Sequence, residues 1–236
     1  GAIFPQGYSF LEELSISPFP RFVYSVQNVE VQKTVFMPYQ RNATIVLYSI
    51  SNRNAVDAKI RIFPLVNWRS FHSITDRWIA PNDPFQKSET TKVSLRLDSP
   101  GYALIMNAIE GRYYVDHKWI ESIYYREEAR RGESCVDDYY QCGFFEFDVE
   151  AGKTGSYAVV AVADEYEDAA RSVMDEMPIS FYDAAGMYDM EKSRHENHLA
   201  RFYGTHSTIK NDEPISTLAL ATDAFVVKEI ASKQES

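Results

Sequence analysis

Short runs in which apolar and polar residues alternate with a period of two recur through the first two thirds of this chain, each closed off by turn residues. Val29, Val31 and Val35 alternate with Glu30, Gln32 and Thr34, and Ile60 and Ile62 alternate with Lys59 and Arg61. Successive strand side chains point to opposite faces, so such runs read as half-buried antiparallel strands with one wet and one dry side. The same reasoning marks Phe22 to Val26, Ala43 to Ile50, Val93 to Leu97, Tyr102 to Asn107, Phe144 to Val149 and Tyr157 to Ala163, which makes eight or more strands. Gln27-Asn28, Ser51-Asn52-Arg53-Asn54, Ser99-Pro100-Gly101, Glu110-Gly111 and Ala151-Gly152 supply the residues that hairpin connections favour. The expectation is a mainly β fold, a large antiparallel β-sandwich, over residues 1–164. Ser73 to Thr91 has no clean period and is long for a connection, and long loops on a sandwich are often where ligands are held.

After Asp164 the pattern changes to Ala, Glu, Met and Arg at helical spacing. Two helices are predicted, Glu165 to Met177 and Ser180 to Tyr203 with Gly204 as the stop, so that residues 165–204 form a helical linker. A third, amphipathic helix is predicted from Pro214 to about Ile230, with Leu218, Ala221, Phe225 and Val226 on its apolar side.

At 236 residues the chain can bury roughly 70% or more of its unfolded surface, so it needs no disulfide or metal to fold. Its 34 acidic and 24 basic residues give a net charge of -10, which repels phosphate backbones and anionic headgroups and argues against nucleic-acid or membrane-surface partners. No apolar run approaches the roughly 20 residues of a membrane span, and no basic stretch followed by an apolar one opens the chain. Two cysteines, Cys135 and Cys142, do not make a secreted disulfide scaffold, and a cytoplasmic setting is expected. Whether the two are bridged stays open at this level.

Aromatic residues make 14% of the chain, and most must be core. Two clusters combine rings with forked polar groups. Asn67-Trp68-Arg69-Ser70-Phe71-His72 offers a flat ring beside donors and acceptors, the mixture that sugar sites use. The alternative is that Trp68 and Phe71 are core rings, Arg69 pairs with a carboxylate of the fold, and His72 caps a carbonyl. The second cluster runs from Arg112-Tyr113-Tyr114 to Trp119 and on to Tyr124-Tyr125-Arg126-Glu127. It either completes one groove with the first or forms a strand pair with cross-strand aromatic contacts.

Glu133, Asp137, Asp138 and Glu146 supply carboxylates, but a glycosidase pair needs a defined separation that sequence does not give, and no catalytic residue is assigned. His195-Glu196-Asn197-His198 spaces its histidines three apart, where the zinc-protease pattern needs four, so no metal or other cofactor is expected. The Gly-rich phosphate loop, the Gly-x-Ser-x-Gly elbow and the Cys-x-x-Cys pair are all absent from the sequence.

Tyr8 to Leu14, Pro20-Arg21-Phe22-Val23-Tyr24, Lys33-Thr34-Val35-Phe36-Met37-Pro38 and Pro64-Leu65-Val66 through His72 together resemble the N-terminal domain of prokaryotic, archaeal-type glycogen debranching enzymes. Arg131-Gly132-Glu133, Val136-Asp137-Asp138 and Gly143-Phe144-Phe145 resemble the later part of that domain, with Cys142 where the family has the proline of a Pro-Gly turn. The resemblance covers roughly residues 5 to 165. It implies a glucoamylase-like N-terminal supersandwich followed by linker helices and an (α/α)6 barrel that hydrolyses α-1,6 branches. Leu218 to Val227 resembles the first barrel helix, so residues 205–236 are expected to begin that barrel, and its catalytic acids are expected outside this sequence. The family's opening Gly-rich segment is not matched, which implies a start partway into the sandwich. The expected role is a non-catalytic accessory domain that binds or orients α-glucan, with Asn67, Trp68, Arg69, Phe71, His72, Tyr113 and Trp119 as contact residues. A packing or dimerisation domain, partnered by its own barrel or a second copy, is the alternative. A 4-α-glucanotransferase activity of this domain is a third reading.

Overall fold

The computed structural model describes residues 6–70, 73–79, 83–97, 101–209 and 212–224. A short 3-10 turn at Gly7–Phe10 leads into strands β1 (Leu11–Ser15), β2 (Arg21–Val26), β3 (Val29–Phe36), β4 (Ala43–Asn52), β5 (Ala58–Ile62), β6 (Leu65–Val66), β7 (Phe85–Ser88), β8 (Lys92–Leu97), β9 (Tyr102–Ile109) and β10 (Arg112–Tyr124). Helix α1 (Arg126–Arg131), strands β11 (Val136–Val149) and β12 (Thr154–Asp164), and helices α2 (Glu167–Asp175), α3 (Phe181–Thr205) and α4 (Glu213–Ala224) complete the order. The fold is mainly β, a large antiparallel sandwich followed by C-terminal helices.

Sheet A has eight strands in the order β1-β2-β3-β4-β12-β9-β8-β7, and sheet B joins β10-β11-β5, with β6 also paired to β11. The β2–β3 hairpin turns through Gln27 and Asn28, both at positive φ (49° and 62°), the backbone that matches strand twist in a two-residue connection. Cys142-Gly143, where the family resemblance implies a turn, lies inside β11, and the strand runs on to Val149. The glycine is needed there because a Cβ would come within 2.3 Å of the Tyr114 carbonyl oxygen and 2.5 Å of the Tyr113 hydroxyl.

Two cores follow from the period of two. Tyr48 and Ile50 of β4, Met106 and Ala108 of β9, and Tyr157 and Val159 of β12 face sheet B, where they meet Phe145, Phe147 and Val149. The intervening residues Ala43, Ile45, Ala103, Ile105, Ala158, Val160 and Val162 face the other way and pack with Ala170 and Met174 of α2 and Ala184 of α3. This explains why Tyr157 to Ala163 is a continuous apolar run: the strand is buried on both faces. Each fully buried large apolar side chain stabilises the fold by about 1.5–3 kcal/mol.

The structure adjusts several expectations. Ser180 caps α3 by accepting from the Asp183 amide, and the helix runs through Gly204 to Thr205. Helix α4 begins at Glu213, while Phe225 and Val226 lie outside the described residues. The aperiodic segment from Ser73 to Thr91, expected to be a long connection, contains β7, and β1, β10 and α1 are elements the alternation did not mark. Cys135 and Cys142 are free thiols, the latter buried with its pKa pushed up to about 11 by burial. Among the described residues no helix is long and apolar enough to cross a membrane.

Candidate functional site

The first residues of β11 carry two buried carboxylates. Asp137 is 0% exposed and Asp138 8%, and a buried carboxylate persists only when its oxygens are hydrogen-bonded. Asp137 Oδ2 accepts from Arg69 Nε (3.0 Å) and Nη2 (2.9 Å), from Asn67 Nδ2 (3.2 Å) and from the Tyr125 hydroxyl (3.2 Å), while Oδ1 accepts from the Thr75 amide (2.7 Å). Asp138 Oδ2 accepts from the Arg77 amide (2.9 Å), and its Oδ1 accepts from the Ser122 amide (2.8 Å). Ser122 sits at φ 62° where the β10–β11 register shifts, so Asp138 satisfies a donor that the ladder leaves over. The Asp138 amide donates to the Thr75 carbonyl (3.0 Å). Together these bonds lay the segment from Ser73 to Ile79 across the start of β11.

On one side of that segment a cavity of about 600 Å³ opens, lined by Arg69, Ser73, Tyr125, Glu128, Arg131 and Glu133. Helix α1 supplies Glu128 and Arg131. It terminates at Gly132 in the left-handed conformation (φ 79°), which favours glycine. Burial opposes the Arg69 charge, and the Asp137 carboxylate more than offsets it, so the Arg69 pKa is raised. Burial and a hydroxyl–hydroxyl contact with Tyr139 raise the Tyr125 pKa. The cavity wall thus carries a fixed cation and a phenol that stays neutral, next to two carboxylates on its rim.

On the other side are the rings. Trp68 packs tilted against Tyr140 at a centroid distance of 6.1 Å, and Trp119 meets the same ring edge-on at 5.6 Å. The two clusters, about fifty residues apart in sequence, therefore converge on Tyr140, a residue in neither. Tyr140 is 3% exposed, and burial pushes its pKa up to about 12. Trp119 Nε1 donates to Asp83 Oδ1 (2.7 Å). The Arg77 guanidinium lies 5.9 Å from the Trp119 ring and 5.6 Å from that of Trp78, and pairs with Glu121 (3.0 Å).

The expected contact residues are thus differently placed. Asn67 and Arg69 are joined through Asp137, and Arg69 also borders the cavity. Trp68 and Trp119 are half-buried and touch the inter-sheet core. Tyr113 is 7% exposed, with its hydroxyl donating to the Cys142 carbonyl (2.5 Å) and accepting from Gln86 Nε2 (3.1 Å). Phe71 and His72 lie outside the described residues. Arg77, Trp78, Asp83 and Tyr140 are neighbours that sequence reasoning did not name, and the aperiodic Ser73–Thr91 stretch was the only signal for the first three; Tyr125 stood in the second cluster but was not among the expected contact residues.

The remaining acidic and histidine motifs are structural in placement. Glu146 is held between Lys59 and Arg61, each at 2.8 Å. His195 packs on Phe19 at 4.7 Å, and His198 Nε2 is 3.1 Å from the Ala219 carbonyl. Among the described residues no group of three or more His, Cys, Asp or Glu side chains is placed to hold a metal ion.

No curated protein matches the chain. Among solved structures, a polysaccharide lyase is similar at 10% identity and TM-score 0.41, over 69% of this chain and 24% of that one. A heparinase III is similar at 10% identity and TM-score 0.40, over 67% and 22%. A bacterial glucoamylase complexed with acarbose is similar at 8% identity and TM-score 0.36, over 76% and 27%. The chain spans about a quarter of the length of these structures. The motifs gathered around Asp137 and Arg69 fall within residues 1–155, the stretch that matches the family described as glycogen debranching enzyme N terminal, and the chain belongs to that family.

Proposed function

We propose that this chain is a non-catalytic accessory domain of a glycogen debranching enzyme, which binds or orients α-glucan for a catalytic barrel outside residues 1–236. The observation that carries the reading is the convergence of Trp68 and Trp119 on Tyr140 beside the Arg69 cavity. Rings and forked polar groups thereby lie on the two sides of the segment from Ser73 to Ile79, and together they are the combination that neutral, hydroxyl-rich ligands require. Affinity for a single short glucan is expected in the millimolar range, about -4 kcal/mol.

Native electrophoresis through a gel containing glycogen tests this directly, because a polymer at high concentration retards even weak binders. The chain is expected to migrate more slowly than in a glycogen-free gel, with no change in glucan chain lengths after incubation. Equal mobility in both gels contradicts glucan binding, and reshuffled chain lengths contradict the non-catalytic role.

A second reading, a packing or dimerisation domain, is favoured by apolar side chains on the helical side: Ile179 is 89% exposed, Tyr182 85%, Met190 73% and Leu218 67%. Light scattering that gives the monomer mass at all concentrations contradicts self-association.

A further inference from the structure

Trp78 is 81% exposed and its neighbour Ile79 83%. Single exposed apolar residues are ordinary on protein surfaces and need no explanation. This one differs in how it is held. The Arg77 amide, one residue before it, is bonded to the buried Asp138, and the Thr75 amide to the buried Asp137. The Trp78 amide donates to Asp76 Oδ1 (2.9 Å), which fixes the local turn. Carboxylates are costly to bury, and here both are used to fix a surface backbone whose tip presents an indole to water.

We propose that Trp78 is the ring on which a sugar stacks, with Asp138 as the positioning residue that presents it. Arg77 lies against one face of the indole, and the high exposure leaves the opposite face open. Arg77 is paired with Glu121, Asp76 accepts from the Trp78 amide and Asp83 accepts from the Trp119 indole, so the segment offers hydrogen-bonding edges held in fixed positions. A neutral, hydroxyl-bearing pyranose can use both the open ring face and these donor and acceptor edges. The assignment rests on the glucan reading above.

The three tryptophans each give one indole N–H signal in an isotope-labelled sample of the 236-residue chain, and substitution assigns them. On addition of maltohexaose the Trp78 signal is expected to shift most. Trp78→Ala is expected to weaken binding roughly fivefold to tenfold with an unchanged melting temperature. Asp138→Asn is expected to weaken binding while the Trp68 signal keeps its position, which a general loss of structure would not allow. If the Trp68 or Trp119 signal moves and Trp78→Ala binds like the parent, the assignment is wrong and the glucan reading survives. If no signal moves in a folded sample, both fall. If Trp78→Ala alters self-association by light scattering and leaves sugar affinity intact, the ring contacts protein and the assignment is overturned.

Discussion

Strand β11 buries its two halves in different ways. From Phe145 to Val149 its inward side chains are Phe145, Phe147 and Val149, all at most 1% exposed, and Phe147 packs on Tyr48 and Tyr157 at 6.1 Å and 4.8 Å. From Asp137 to Gln141 it buries Asp137, Asp138, Tyr140 and Gln141, whose polar atoms reach out to the segment from Asn67 to Arg77, to Ser122 and to Asp116. Apolar contacts are non-directional and stabilise in proportion to area. Hydrogen bonds to a buried carboxylate replace bonds to water, so much of their strength is offset by desolvation, and because they are directional they fix position more. One half of the strand therefore holds the two sheets together, and the other decides where surface residues lie.

The largest expected effect falls on the apolar half. Phe147→Ala leaves a cavity between the sheets and is expected to cost about 3–5 kcal/mol in urea unfolding. A loss below about 1 kcal/mol would break the comparison, because that half would not be carrying the core. Asp137→Asn comes next. It keeps the shape but leaves Arg69 without its buried anion, at an expected cost of about 1.5–3 kcal/mol, accompanied by fluorescence changes at Trp68. An unchanged Trp68 signal would contradict a positioning role for that half.

The smallest effect is a pH dependence at Glu146, between the core residues but on the opposite face. Hydrogen bonds from Lys59 and then Arg61 hold its carboxyl below the ordinary 4.5. The unfolded chain takes up the proton first, so this stabilisation is present above about pH 4.5 and is lost as pH falls through the depressed value. Glu146→Gln is expected to lower the melting temperature slightly at neutral pH and to converge on the parent in acid, which flattens the profile below about pH 4.5. A profile unchanged by the substitution would show that other carboxylates set the acid limb.

Much of the apolar half was legible in the sequence. Phe145, Phe147 and Val149 alternate with Phe144, Glu146 and Asp148, and the strands they face announce themselves in the same way. The polar half was not legible, because its contacts cross the chain at long range: Arg69 and Asp137 are 68 residues apart, and Arg77 and Asp138 61. Asp137 and Asp138 read in sequence as two of several carboxylates without an assigned role, since nothing local reveals that backbone amides occupy them. Strand β10 was legible only as the strand-pair alternative for the second cluster, because register shifts after Val115 and Ile120 break its alternation. The meeting of Trp68 and Trp119 depends on β6 and β10 flanking Tyr140, which pairing register alone decides.

Amide hydrogen exchange at Thr75 and Arg77 tests the central claim, that buried carboxylates of β11 fix this surface segment, most directly. Both amides are expected to be protected like their partners in β11, and in Asp138→Asn the Arg77 amide is expected to exchange at least roughly tenfold faster while Phe145 and Phe147 stay protected. Exchange of Thr75 and Arg77 at the rate of an unstructured loop in the parent chain would contradict it.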